Sequence, residues 1–444
     1  MMSHLEIIDN IVANIYFKGM PNGAQLESIP KLCETYGVSD QTVQKALKKL
    51  KQDDILFSRP GKGVFVKNRE KLDAMKTFLK IAVMDPDTKR FIPEVIADFE
   101  QEHRNVKISW KNINQATDMN EVISDYAPDI IIFETSNVYN FIHAEIAESI
   151  TDASSYLTDV CPGLALPCCS RNELYAVPLF FSPVFVVYNK KIMKDAGVNM
   201  PRTWDMDTCV AIADKLTNRS SCNRRFGFVL SLSLYRFPAL IAAFGGNLRN
   251  LPGSLEGIKK ALDFSMALFD KNISPFIPDW TADNSDRFCF TEGYGAMRLE
   301  TFHGLRIRDR LAFEWDLMQL PRGEKNGSSC FAANYAGIPK ISGNKSFARE
   351  FISHLFSEKT QKNIKRKHFL LPARKSVCDD NFITPDGFCP ANYSGIREEF
   401  RDMQPIHNFF IPETKNLFTK EMFLFFNKIK SSIDVLKTLK EAIK

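Results

Sequence analysis

Three constellations in this 444-residue chain have side chains of the type and spacing that chemistry needs. Gly61-Lys62-Gly63 sits between Leu56-Phe57-Ser58-Arg59 and Val64-Phe65-Val66, which puts a cation at the tip of two short apolar runs. Flanking glycines let the backbone turn tightly and approach a phosphate, and Lys62 supplies the charge. Asp85 and Asp87, just past another apolar run, could accept hydroxyl protons from a polar ligand. The ten cysteines form the third set, but Cys161, Cys168-Cys169 and Cys222 lack paired Cys-x-x-Cys spacing, so no zinc site is expected. No nucleophile motif surrounds any cysteine, which leaves buried, reduced thiols as the expected state. Asn218-Arg219-Ser220 fits a glycosylation acceptor, a pattern without meaning in the cytoplasm. Glycine-rich phosphate loops are absent. No catalytic residue, metal ligand or cofactor is therefore expected, and the chain does not read as an enzyme.

These residues need elements to hold them. A helix opens at Ser3, with Glu6 completing a capping box, and Leu5, Ile8, Ile11, Val12 and Ile15 line one face. A second helix spans about Ser28 to Tyr36 and stops at Gly37. Ser39 caps a third, with Val43, Ala46, Leu47 and Leu50 facing inward and Gln41, Gln44, Lys45 and Lys48 outward. The hairpin around Lys62 then closes a helix-turn-helix with a wing, for which double-stranded DNA is the expected partner. Residues 67–80 read as a charged connection.

From Phe78 the pattern changes. The runs 79–84, 106–110 and 129–133 are strand-like, with a helix over 92–103. Similar alternation recurs through 184–188, 226–230 and 259–269. Short apolar strands alternating with helices predict βαβ units and a mainly parallel sheet, in two α/β lobes rather than one.

Composition agrees with a water-soluble protein: 44% hydrophobic, 25% charged and a net charge of +5. The opening residues carry neither a basic n-region nor an apolar h-region, and no run of about 18 apolar residues exists to span a bilayer. A cytoplasmic protein with no membrane partner is expected.

Leu26-x-Ser28, Tyr36-Gly37-Val38-Ser39, Thr42-Val43, Ala46-Leu47-x-x-Leu50 and Gly61-Lys62-Gly63-Val64-Phe65-Val66, taken together, resemble the GntR family of bacterial regulators over residues 3–67. The resemblance implies that the third helix enters the major groove, that the wing touches backbone or minor groove, and that two copies bind a pseudo-palindrome as a homodimer. On that template Ser28, Ser39, Gln41, Thr42, Gln44, Lys45, Lys48, Arg59, Lys62 and Gly63 face DNA. The family usually carries arginines where this chain has Pro30, Asp40 and Gln44. Gln44 suits adenine N6/N7, whereas Asp40 repels phosphate, so an unusual operator or a low affinity per head is expected. The competing role for the head is dimerisation or protein binding.

Residues 174–205, with Ala239 to Gly246, Gly293-Tyr294-Gly295-Ala296-Met297, Gly337-Ile338-Pro339 and Phe347 to Ile352, resemble the extracellular solute-binding proteins that feed ABC sugar importers. The implied fold is α/β: a winged helix-turn-helix (1–70), a linker (71–80) and a two-lobed periplasmic-binding-protein-like sensor (81–440) with hinge crossovers. Lobe 1 would comprise about 81–181 and 331–385, and lobe 2 about 184–328 and 390–440. The resemblance places Phe133 at the cleft edge, Phe181 and Ser182 at the first hinge crossing, and Tyr235 before the Gly245-Gly246 turn. It places Phe302 and His303 where a tryptophan is common, so His303 is open to an aromatic-like, pH-sensitive or anion-binding role. With 36 phenylalanines and 11 tyrosines, core packing competes for every aromatic. The expected function is a DNA-binding regulator that senses a small, sugar-like effector. The alternatives are a scaffold that binds no ligand and a transport component.

Overall fold

The computed structural model describes residues 4–75, 77–143, 145–150, 154–276, 285–305, 311–380 and 389–442. The cap expected at Ser3 lies outside the described residues. Two compact units divide the chain, 1–132 with 338–351 and 133–337 with 352–444. The lobe boundaries expected near 181 and 331 both fall inside the second unit.

The first unit begins with α1 (His4–Phe17), α2 (Ile29–Tyr36), α3 (Asp40–Gln52), β1 (Leu56–Arg59) and β2 (Gly63–Val66). Ile7, Ile11 and Ile15 recur at helical spacing and meet Leu32 of α2 and Val43, Ala46, Leu47 and Leu50 of α3 in one core. Gly37 ends α2 in the left-handed region at φ +63°, and its N–H caps the carbonyl of Cys33. The hairpin pairs Leu56 with Val66 and Arg59 with Gly63. Gly61 and Gly63 take φ of +70° and +111°, which supplies the turn.

The expected linker over 71–80 is instead structured: a helix covers Glu70–Met75 and a strand, β3, covers Thr77–Val83. Leu72 and Phe78 belong to the same apolar core as the head. The Phe78 ring stacks on Tyr16 of α1 at 4.0 Å between centroids. Apolar residues inside a charged stretch decide the outcome, because burying them outweighs the solvation of their neighbours.

Beyond β3 lie α4 (Ile92–Glu102), β4 (Val106–Asn112) and β5 (Ile130–Glu134). β3 pairs in parallel with both, Ile81 opposite Trp110 and Ile130. Ile81, Val83 and Ile130 to Ile132 are fully buried, as a parallel strand covered on both faces requires. Asp129, also buried, accepts from the Lys80 N–H (2.9 Å), Ser342 Oγ (2.7 Å) and Asn344 Nδ2 (3.2 Å).

The second unit is organised around one strand, β6 (Ala176–Asn189). The others are β7 (Phe226–Val229), α5 (Phe237–Ala243), α6 (Leu255–Asp270), β8 (Gly295–Thr301), β9 (Trp315–Met318), β10 (Cys330–Gly337) and β11 (Leu371–Pro372). β6 pairs antiparallel with β10 and β11 along its first half and with β8 and β9 along its second. The neighbours change around Ser182-Pro183-Val184, where Pro183 faces Phe331 and Val184 faces Thr301. Antiparallel pairing along β6 departs from the mainly parallel sheet that the apolar runs predicted; parallel pairing in this unit includes β7 with β8. A register shift beside Pro178 lets the strand pass a residue that cannot donate to the ladder. Among the described residues no helix is long and apolar enough to cross a membrane.

A charge network lies in the core of this unit. Glu300 of β8 is fully buried and accepts from Arg236 Nε at 3.1 Å, while its other oxygen takes Arg298. Arg298 also donates to Asp286 at 3.0 Å, and Arg236 to Ser233 Oγ at 3.3 Å. A side chain at position 304 would collide with the Glu300 carboxylate, so glycine is required there.

Removing Glu300 strips the buried Arg236 of its carboxylate and leaves Arg298 with Asp286 alone. Glu300→Ala is expected to cost about 3–5 kcal/mol. Replacing Glu300, Arg236, Arg298 and Asp286 together by apolar residues of similar volume should cost less, because no buried charge is then left alone. Urea denaturation midpoints of the two variants check this order.

Candidate nucleic-acid interface and ligand site

The head presents its polar groups on one face. On α3, Gln41, Gln44, Lys45 and Lys48 are exposed and Thr42 is half-buried, while the interleaved apolar residues are buried. Helical periodicity alone makes this division. Among the described residues Lys45 and Lys48 have no ion pair, whereas Lys49 is engaged by Asp53 at 2.7 Å. Gln44 donates its amide to Asp40 Oδ1, so to reach a base edge it must exchange this bond. Ser28 and Ser39 stand at the N-caps of α2 and α3 without capping through their side chains. Ser39 pairs instead with the Thr42 hydroxyl at 2.8 Å.

The wing is braced. Gln25 Nε2 donates to the Lys62 carbonyl at 2.7 Å, which fixes the tip and leaves the Lys62 side chain in solvent. Arg59 lies over the rings of Phe57 (5.3 Å) and Phe65 (5.1 Å), a cation–π stack that orients its guanidinium at the root of the tip. Gly63, beside Gln25, has no room for a side chain that keeps this brace undisturbed. At the far end of the hairpin Lys67 and Lys71 hold the Asp54 carboxyl down to about 2.

The expected ligand residues fare unequally. In the first unit the buried Asp85 accepts the N–H groups of Asp87 (2.9 Å) and Thr88 (2.8 Å), so it braces its own loop. Burial pushes its carboxyl up to about 7 against the hydrogen bonds from Thr88. Asp87 is buried in the same turn.

In the second unit Phe133 has no exposed surface and packs on Phe141 (4.7 Å) and Tyr335 (6.0 Å). Phe181 is buried against Phe331 and Phe400, and Phe302 stacks on Phe369 at 5.2 Å. These three rings offer no face to a sugar in this conformation. Ser182 is buried and accepts the His303 N–H at 2.9 Å, and the half-buried His303 ring lies 5.4 Å from Phe180. Gly245 turns at φ +79° beside Asn326, in a loop apart from these residues.

Tyr235 alone among the expected aromatics keeps partial exposure, with its hydroxyl on Glu134 Oε1 at 2.7 Å and its ring against Phe410 at 4.8 Å. An aromatic face beside a carboxylate is the pairing that a sugar requires: CH groups on the ring, hydroxyls on the carboxylate. Glu134 and Phe410 were not anticipated. Glu134 had a signal, as the acidic end of the apolar run 129–133. The buried network had one too: Arg298 and Glu300 stand two apart within an otherwise apolar strand.

Comparison with known proteins finds two family models. Bacterial regulatory proteins of the gntR family match residues 4–66, and the bacterial extracellular solute-binding protein family matches residues 85–362. A maltotriose-binding protein of Pyrococcus abyssi is 22% identical over 244 residues, 51% of this chain and 50% of that protein. The chain thus spans about half the length of that relative. An ABC substrate-binding protein from Listeria monocytogenes, in complex with cycloalternan, is similar at a TM-score of 0.68 and 20% identity, covering 83% of this chain and 98% of that one. The sugar-binding protein MalE from Xanthomonas citri gives 0.69 and 17%, covering 83% and 96%. At these identities the likeness establishes the fold.

Two outcomes follow from this geometry. Lys62→Ala should weaken binding to every duplex alike and reduce the salt slope by about one, measured by titrations at several salt concentrations. For Asp85, the unfolded chain releases its proton near 3.8, the folded chain near 7. Between those values the folded form holds more protons, so its contribution to stability is full below 3.8 and lost as pH rises through 7. Asp85→Asn should remove this fall, on the order of a few kcal/mol, seen as a growing gap between variant and parent denaturation midpoints from pH 4 to 8.

Proposed function

We propose, for a chain that belongs to the bacterial extracellular solute-binding protein family and carries a gntR-family head, that it is a ligand-responsive transcriptional regulator. It acts in the cytoplasm as a homodimer, with two heads on adjacent half-sites about 34 Å apart or a multiple of it. Its effector is a small sugar or oligosaccharide held at Tyr235 and Glu134. The observation that carries this reading is the joining, in one chain, of a winged helix with an exposed basic face to a solute-binding fold. The relatives named above as maltotriose-, cycloalternan- and sugar-binding support the effector class.

On DNA, Lys45, Lys48 and Lys62 meet phosphates and position the head, and Gln44 reads one base edge. Effector binding changes the spacing or mobility of the paired heads. A second reading, a scaffold that binds no small molecule, draws support from the burial of Phe133, Phe181 and Phe302.

Linkage separates the readings. A sugar at 100 times its dissociation constant stabilises the folded protein by about 2.7 kcal/mol, so a melting screen of sugars and oligosaccharides should give a clear shift that Tyr235→Ala abolishes. An effector that changes operator affinity fivefold must have its own affinity changed fivefold by operator, about 1 kcal/mol of coupling. Titrating the effector with and without operator duplex reads this. A flat screen supports the scaffold, and equal affinities in the two titrations exclude regulation by this route.

A further inference from the structure

We propose that a basic cavity in the second unit, separate from Tyr235 and Glu134, binds a small, multiply charged anion of the phosphate-ester class. Three loops form it: 245–249 after α5, 322–328 between β9 and β10, and 401–404. They line an open concavity of about 560 Å³, room for a ligand of metabolite size. Arg249, Arg322, Lys325 and Arg401 line the cavity against a single carboxylate, Asp402. Arg322 is partly neutralised by Glu399 at 3.3 Å. Among the described residues Arg249, Lys325 and Arg401 have no ion pair, so the cavity carries an uncompensated positive field.

That field reaches its surroundings. His407 is held down to about 4, first by burial and then by the charge of Arg249. Like charges gathered in one concavity repel one another, and an anion with two or more charges relieves that repulsion while a neutral sugar does not. Guanidiniums fork onto phosphate oxygens, and a lysine adds a mobile point charge, which is the usual division of labour around a phosphate group.

The walls are built in advance. Gln404 accepts the Leu248 N–H at 2.7 Å and donates to the Gly246 carbonyl and Ser328 Oγ, both at 3.0 Å, which ties all three loops together. The Ser328 N–H reaches back to the Ala242 carbonyl at 3.1 Å. Gly327 approaches the Ala243 carbonyl so closely that no side chain fits there. The cationic side chains are exposed above this rigid floor, so removing one charge leaves the fold intact.

The test is equilibrium dialysis of the full chain against inorganic pyrophosphate at fixed ionic strength. One equivalent should bind saturably. Arg249→Gln with Lys325→Gln should weaken binding at least tenfold, whereas Lys325→Arg should retain it. Lys45→Gln with Lys62→Gln, in the head, should leave it unchanged. Binding that is non-saturable, indifferent to the cavity variants or lost with the head variants overturns the proposal. The sugar screen is read on Tyr235→Ala, so the two conclusions fail independently.

Discussion

Glu300 takes two guanidiniums out of water, and much of the second unit is arranged so that it can. Two buried cations and two buried carboxylates cost several kcal/mol each to desolvate and are tolerable only when every one is paired. That requirement fixes Arg236 at the start of α5, Arg298 on β8, Asp286 on the preceding helix and a glycine at 304. Tyr235 precedes Arg236 and His303 precedes Gly304, so two of the residues expected to touch a ligand stand directly beside this network. Its tolerance for error is small, because each pair relies on the next.

The same unit is held together along β6. Its apolar residues feed both halves of the sheet, and the switch of partners at Ser182 to Val184 lets one strand serve four neighbours. A closed hydrophobic ring set, Phe133 with Tyr335 and Phe181 with Phe331, fills the space on either side. The polar chemistry is thereby displaced to the edges: the Tyr235–Glu134 pair in one place and the basic cavity in another. On the proposed reading, recognition of hydroxyls and recognition of charge are kept apart.

The elements of the head were legible, since helix periodicity, Gly37 and the Gly61-Lys62-Gly63 tip each have one local physical meaning, although on α1 it is Ile7, which the pattern did not single out, that is fully buried and Ile8 only partly so. The families and the strand positions in the body were legible as well. The ligand residues were less so. A phenylalanine at the end of an apolar strand reads the same whether it faces a cleft or a core, and Phe133 has gone to the core because Phe141 and Tyr335 are there to meet it. Those partners lie eight and about two hundred positions away, beyond any local pattern. Asp85 looked like a ligand contact and instead closes a turn two residues long, which its spacing to Asp87 and Thr88 could have suggested. The 71–80 stretch was misjudged on charge, when Leu72 and Phe78 had the larger say.

That stretch has a consequence for how such proteins can be recombined. A head joined by a loose tether could be exchanged for another with no more than a matching cut point. Here Tyr16 stacks on Phe78 and Leu72 completes the head's interior, so the apolar surface of α1 is shaped to one particular strand. A transplanted head would arrive with an interior open on that side, and the body would be left with Phe78 in water. β3 is at once the head's partner and the strand between β4 and β5, so a cut on either side of it strips packing from one of its neighbours, and neither the end of the wing nor Val83 is a free graft boundary.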